Sequence, residues 1–238
     1  MTIKIKFNAI LAILLMIVSS CATEDSSDSV TDIDGNVYNS VKIGTQVWMV
    51  QNLKTTKYRN GESIGTTAPS NKNITQENEP KYQWAYNGDE GYVSKYGRLY
   101  TWYAVNDSRN IAPIGWHIPT DAEWKILEEY VTANLGSTSS VAKALASKTN
   151  WTYISTTPGA IGNDLTKNNR SGFTGLPSGY RFGNGTFDDI GNGGSWWSST
   201  QSNTNFAWYR TLYCLDNTLH SYNYDKQYGY SVRCIRDN

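Results

Sequence analysis

The sequence predicts an α+β domain: an N-terminal hairpin, one or two helices, long loops and a C-terminal antiparallel meander. Three observations carry this. Two short strand-like segments flank Gly44-Thr45, a capped amphipathic helix pattern starts at Thr120, and strand-like runs at 206–215, 219–224 and 228–236 close the chain. With 238 residues, 39% hydrophobic and 18% charged, the chain is long enough for one well-buried core and too apolar to stay disordered. Its 21 basic residues are matched by 21 acidic ones, so it lacks the cationic footprint of a nucleic-acid binder.

The first 20 residues form an address. Lys4 and Lys6 precede an apolar stretch at 7–18, too short to span a bilayer and right for the core of a signal peptide. Val18-Ser19-Ser20-Cys21 then resembles a bacterial lipobox, which makes Cys21 the expected lipid anchor and the bilayer a partner. The polar, acidic stretch at 22–31 reads as a tether. An acidic, Ser-rich segment after the lipid cysteine resembles the surface-export signal of Bacteroidetes lipoproteins. The expected location is therefore the outer membrane, facing outward, with a periplasm-facing alternative.

The domain is expected over 32–238. Asp34-Gly35-Asn36 makes a turn, and Asp32 with Asp34 falls short of a calcium loop, because the Gly is misplaced and the closing Glu is missing. The hairpin follows, its turn at Gly44-Thr45. Residues 60–90 are loop-like, and the aromatic run at 96–105 is read as a helix ending near Asn106. Thr120 with Glu123 is a capping box, and Trp124, Leu127 and Val131 form one apolar stripe up to Gly136. A second short helix is expected at 141–148. Beyond Trp151, Gly, Asn, Ser and aromatics alternate without a helical period until the meander, whose turns are Asp216-Asn217 and Asp225-Lys226.

Several strings recur in a fixed order: Asp34 to Tyr38, Ile43 to Leu53, Tyr96 to Ala104, Gly115 to Thr120, Trp196 to Thr200 and Gly229 to Cys234. In that order they resemble the Fibrobacter succinogenes major paralogous domain family, over residues 32–237. The resemblance implies a secreted or lipid-anchored protein and brings no established activity. A more distant likeness links residues 115–124 and Gly193-Gly194-Ser195-Trp196 to formylglycine-generating enzymes. It implies a C-type-lectin-like fold.

The chemistry of those enzymes is not expected here. Their copper needs paired thiols, whereas position 198 is Ser and Cys214 and Cys234 stand on presumed outer strands of one meander, about 10 Å apart. A bridge between them stays open as an option. His117 and His220 are the only histidines, and no hydrolase, zincin or phosphate-loop motif is present. Asp164, Asp188 and Asp189 could supply a carboxylate pair, although no spacing requires it.

The expected function is therefore non-catalytic binding of a glycan or a surface protein. Residues 179–197 place aromatic rings beside Arg, Asn and Asp on Gly-permitted loops, and flat rings stack on sugars at little entropic cost. The candidate ligand-binding residues are Tyr180, Arg181, Asn184, Phe187, Asp188, Asp189, Trp196, Trp197 and, on the next strand, Arg210. Of Trp196 and Trp197, one is expected in the core and the other partly exposed, since neighbours on a strand point oppositely. No cofactor is expected; calcium at Asp188 and Asp189 is the one option. A structural or adhesin component of the outer surface is the first alternative, and an uncharacterised enzyme the second.

Overall fold

The computed structural model describes residues 28–136, 140–152 and 154–237. Cys21, with most of the predicted tether, lies outside them. The elements run β1 (Ser29–Thr31), β2 (Val37–Ile43), β3 (Gln46–Met49), β4 (Gln83–Trp84), α1 (Val93–Tyr96), β5 (Leu99–Tyr100), α2 (Trp102–Val105), β6 (Trp116–His117), α3 (Asp121–Leu135), α4 (Val141–Leu145), β7 (Ser178–Arg181), β8 (Phe187–Ile190), β9 (Gly193–Gln201), β10 (Phe206–Tyr213), β11 (His220–Asp225) and β12 (Ile235–Arg236). The α+β class is as the sequence predicts, with strands dominant and only α3 a helix of ordinary length.

Two five-stranded sheets carry the molecule. The first has the order β1-β2-β3-β12-β6 and the second β11-β10-β9-β7-β8; β4 and β5 form a separate pair. The expected hairpin is β2–β3, closing with Ile43 opposite Gln46. The turn before it is organised by Asp32, whose carboxylate accepts from Asp34 N, Asn36 N, Asn36 Nδ2 and Tyr38 Oη. Ser29–Thr31, inside the stretch read as a tether, pairs with β2 and so belongs to the first sheet.

Helix α3 starts as its local sequence dictates. Thr120 Oγ1 accepts from Glu123 N while Glu123 Oε2 accepts from Thr120 N, closing the capping box. Trp124, Leu127 and Val131 are buried. The helix expected at 96–105 does not form as one piece. Gly97 sits at φ +77°, where a Cβ would come within 2.7 Å of Asn52 Cβ, and Leu99–Tyr100 pairs with β4 before a single turn resumes at Trp102. An aromatic run of this kind suits a strand flanked by packing on both sides as well as a helix, and tertiary contacts chose the strand.

The C-terminal meander is corrected as well. β10 and β11 pair antiparallel as expected, but the third run leaves them. It threads between the two sheets: Gly229 bridges Arg181, Tyr230 bridges Tyr100 and Ser231 bridges Trp196, after which Ile235 pairs with both Trp48 and His117. Residues 229–235 are buried throughout, as a strand covered on both faces must be. Cys214 and Cys234 consequently sit in different clusters, both buried and unbridged. Burial pushes both thiols above their ordinary pKa.

Two aromatic clusters form the interior, one on each side of β9. Trp196 joins Trp48, Trp124 and Phe173 beneath α3, with Trp124 centred 4.8 Å from Trp48 and 6.4 Å from Trp196. Trp197 joins Tyr209 and Tyr230 on the other side, with Trp197 and Tyr209 each centred 4.5 Å from Tyr230. Both tryptophans are fully buried, so the expected partly exposed member of the pair does not exist. The alternation rule held; the assumption that one face of β9 meets water did not.

Candidate functional site

The second sheet has one face packed under α3 and another that opens to solvent toward its edge. The register sets what the open face carries. Tyr209 stands opposite Tyr222, Ala207 opposite Tyr224 and Thr211 opposite His220. The period of two in His220-Ser221-Tyr222-Asn223-Tyr224 therefore puts His220, Tyr222 and Tyr224 on one side of edge strand β11. Tyr222 and Tyr224 are 48% and 46% exposed, and Phe206 beside them 39%.

These rings are continuous with the interior. His220 stacks on Tyr222 at 5.5 Å and 8°, and Tyr222 lies 6.2 Å from Tyr209. Tyr224 stacks on Phe206 and lies 4.7 Å from Tyr228, which meets Phe182 at 5.2 Å. Phe182 in turn meets Tyr180 at 5.0 Å. The result is a tyrosine face whose inner rings are fixed by the core and whose outer rings present flat surfaces to solvent. Burial pushes the hydroxyl of Tyr209 up to about 12 and that of Tyr180 upward too, so at neutral pH both are neutral groups able to donate.

A polar rim borders the face. Asp188 pairs across from Tyr180 on β8, and Asp189 follows at φ +61°. Burial, with the neighbouring Asp188 adding to it, raises the Asp189 pKa. Gly179 makes this close approach possible: at φ +63°, a Cβ there would fall 2.4 Å from Asp188 O. Asp189 also lines a pocket of about 400 Å³ with Asn192, Tyr213, Cys214, Leu215 and Asp216. Asp216 Oδ2 accepts from His220 Nε2 at 2.8 Å, and His220 Nδ1 lies 3.2 Å from Tyr222 Oη.

Of the residues expected to bind ligand, Tyr180, Asp188 and Asp189 reach solvent on or beside this face, Asn184 is exposed in the turn between β7 and β8, and Phe187, opposite Arg181, lies on the other side of the sheet against Tyr86. Asn184 spends its side-chain oxygen on Thr186 N and Oγ1. Four expectations are corrected. Trp196 and Trp197 are core. Arg181 is fully buried over the Trp84 ring, 4.0 Å from its centroid, and donates to the carbonyls of Ser70, Lys72 and Phe182. Arg210, 2% exposed, pairs with Asp121 at 2.6 Å and so ties β10 to the start of α3. None of the four can be touched by a ligand while the fold stands.

The residues missed were Phe206, Tyr209, Tyr213, His220, Tyr222, Tyr224 and Tyr228. The alternation within 220–224 was a usable signal for a one-sided aromatic strand. The aromatic density at 179–197 drew attention away from it, although that density marks burial. Among the described residues, no group of three or more His, Cys, Asp or Glu side chains is placed to hold a metal ion, so Asp188 and Asp189 gain no third such ligand.

Fold and site together define a β-rich α+β domain with an aromatic face rimmed by carboxylates. The chain belongs to the Fibrobacter succinogenes major domain family, whose model matches residues 41–236. No curated protein and no solved structure matches it. No helix among the described residues is long and apolar enough to cross a membrane.

Proposed function

We propose that the protein is a non-catalytic binding module of the cell envelope, held to the outer membrane by an acylated Cys21 and recognising a glycan through its tyrosine face. The observation that carries the reading is the geometry of β11. Three rings on one side of an edge strand, two of them about half exposed, are backed by a rigid aromatic interior. Sugar rings stack on such surfaces through their C–H faces, and preset rings lose little entropy on binding. The rim carboxylates of Asp188, Asp189 and Asp216 accept hydrogen bonds from sugar hydroxyls. We also assign the fold to the C-type-lectin-like class; two sheets with a helix packed on one face and loops between them are compatible with it.

The test is a glycan array probed with the wild-type chain and with the double variant Tyr222→Ala, Tyr224→Ala. The expected result is retention of a glycan by wild type and at least a tenfold loss in the variant, whose thermal transition stays cooperative and within about 5 °C of wild type. Equal retention by both sinks the reading. Retention of surface proteins but no glycan moves the module to the protein-binding alternative, and turnover of any arrayed sugar makes it an enzyme.

A further inference from the structure

A second apolar surface lies where the two edge strands of the first sheet, β1 and β6, lead into one pocket. Ile33, just after β1, and Ile114, just before β6, wall a pocket of about 200 Å³ together with Thr31, Ile111, Ala112 and Pro113. Ile114 is 82% exposed and Ile33 51%. Val37, 56% exposed, pairs directly across from Thr31, so the two side chains share one face. Both segments are held firmly. Asp32 organises the turn that carries Ile33. Arg59 donates from Nε to Ala112 O and from Nη2 to Pro113 O and Trp116 O, which fixes the loop that carries Ile114. Three aliphatic side chains thus point outward around one apolar depression, the mark of an interaction surface rather than of scattered exposed residues.

The chain enters the domain beside this surface. Asp28, which precedes β1, pairs with Arg236 at 2.5 Å, and the next residue, Asp237, donates its N–H to Gly115 O at 2.9 Å, one residue from Ile114. Ile33 is five residues from Asp28, at most about 17 Å along the chain. Cys21 is seven residues before Asp28, so an acyl group there keeps Asp28 within about 25 Å of the bilayer. The six residues between them, Ala22 to Ser27, carry no large apolar side chain that could fill the pocket. The charges bordering the surface are matched: Arg236 by Asp28, Lys57 by Asp34 and Asp237 by His117. A dimer of ordinary stability covers about 800 Å² on each partner, more than three side chains around one shallow pocket supply.

We propose that this surface docks on the bilayer that holds the lipid anchor, with Ile33, Val37 and Ile114 entering the boundary between headgroups and acyl chains. Docking rests on the acylated Cys21 proposed above and adds an orientation to it: the domain lies against the membrane by the first sheet. The anchor makes so small a surface sufficient. A short linker sets an effective concentration on the order of millimolar, and the docking step becomes intramolecular. Aliphatic side chains at that depth gain by leaving water and ask for no headgroup charge. With the bordering charges matched, the contact forms on a zwitterionic bilayer and is insensitive to salt.

The test uses the full chain, acylated in a bacterial host, purified in detergent and reconstituted into phosphatidylcholine vesicles. Thr31→Cys puts a thiol on the exposed wall of the pocket. The Cys21 sulfur then carries lipid, and Cys214 and Cys234 are buried, so an NBD fluorophore attaches at position 31. Doxyl-labelled phosphatidylcholine is expected to quench this fluorophore about twofold or more, equally at low salt and at about 1 M salt. Adding Ile33→Ser and Ile114→Ser is expected to abolish the quenching while the chain still floats with the vesicles. Both residues are exposed, so the variant keeps a cooperative thermal transition. Adding Tyr222→Ala instead should leave the quenching unchanged. A chain that floats with vesicles but is unquenched, or whose quenching survives the two serines or vanishes at high salt, overturns the docking and leaves the anchor standing. A chain whose mass shows Cys21 unmodified and that stays off the vesicles overturns anchor and docking together. A dimer in detergent that the two serines abolish gives the surface to a second copy instead and overturns the proposal.

Discussion

The two faces of the second sheet are both lined with aromatic rings and end differently. Beneath α3, the rings of Trp48, Trp124, Phe173 and Trp196 are at most 1% exposed. On the other face the inner rings of Trp197, Tyr209 and Tyr230 are covered, but no helix caps the outer strands, and Tyr222 and Tyr224 remain about half open. Aromatic content therefore does not separate a core from a binding surface. Cover does, and cover is supplied by elements distant in sequence. The chemistry differs as well. Tryptophan dominates the capped face; tyrosine, whose hydroxyl keeps a partner in water, dominates the open one.

Mutating matched rings on the two faces should break this symmetry most sharply. Trp196→Ala empties a fully buried site whose indole Nε1 donates to Asn52 Oδ1 at 2.8 Å, and is expected to cost about 3–5 kcal/mol in urea unfolding. Tyr222→Ala on the open face is expected to cost about 1 kcal/mol or less. Similar losses at both positions would show that the open face is also structural.

A smaller effect is expected at Lys143, which holds the loop at 160–164 against α4 on the capped side. Lys143→Met keeps the aliphatic stem and leaves carbonyl oxygens without their donor, with an expected loss of about 2 kcal/mol and faster amide exchange within 160–164. Unchanged exchange would mean that the loop is held by other contacts.

The smallest effect concerns the base of α3. His117 bridges Glu123 at 2.8 Å and Asp237 at 2.6 Å, joining the helix cap to the chain's C-terminal end. Burial opposes the charged ring, but the hydrogen bonds to Asp237 and Glu123 prevail and raise its pKa above the ordinary 6.5. A raised folded-state pKa stabilises fully below pH 6.5 and loses that contribution as pH rises through the folded value. The thermal midpoint of wild type should thus exceed that of His117→Gln at pH 6, with the gap narrowing above neutrality. A gap independent of pH would show that the ring acts by packing alone.

How much was legible in the sequence follows the range of the interactions. The hairpin at Gly44-Thr45 and the capping box at Thr120 rest on residues two to four positions apart, and both formed as read. The run at 96–105 failed because Gly97 is fixed by contact with Asn52, more than forty residues away. The ligand-binding reading of Arg181 and Arg210 failed for a related reason: an Arg next to an aromatic looks the same whether its guanidinium meets water, a carbonyl cluster or Asp121. At the candidate site, Asp188 and Asp189 were found from composition, while the tyrosines of β10 and β11 were passed over because their shared side appears only once the strands are paired.

By itself the sequence determined the family, the α+β class and the capped helix, since each is written in local pattern or motif. It also showed the density of aromatics and acids over 179–197, but read that stretch as loops where the structure forms β7, β8 and the start of β9. Only the tertiary structure decided which rings are core and which are open, that the last strand runs between the sheets, and that Cys214 and Cys234 stay apart. Those outcomes depend on which distant element covers which face. The free energy that settles them comes from burial between segments far apart in the chain, where a linear pattern carries no record of the partner.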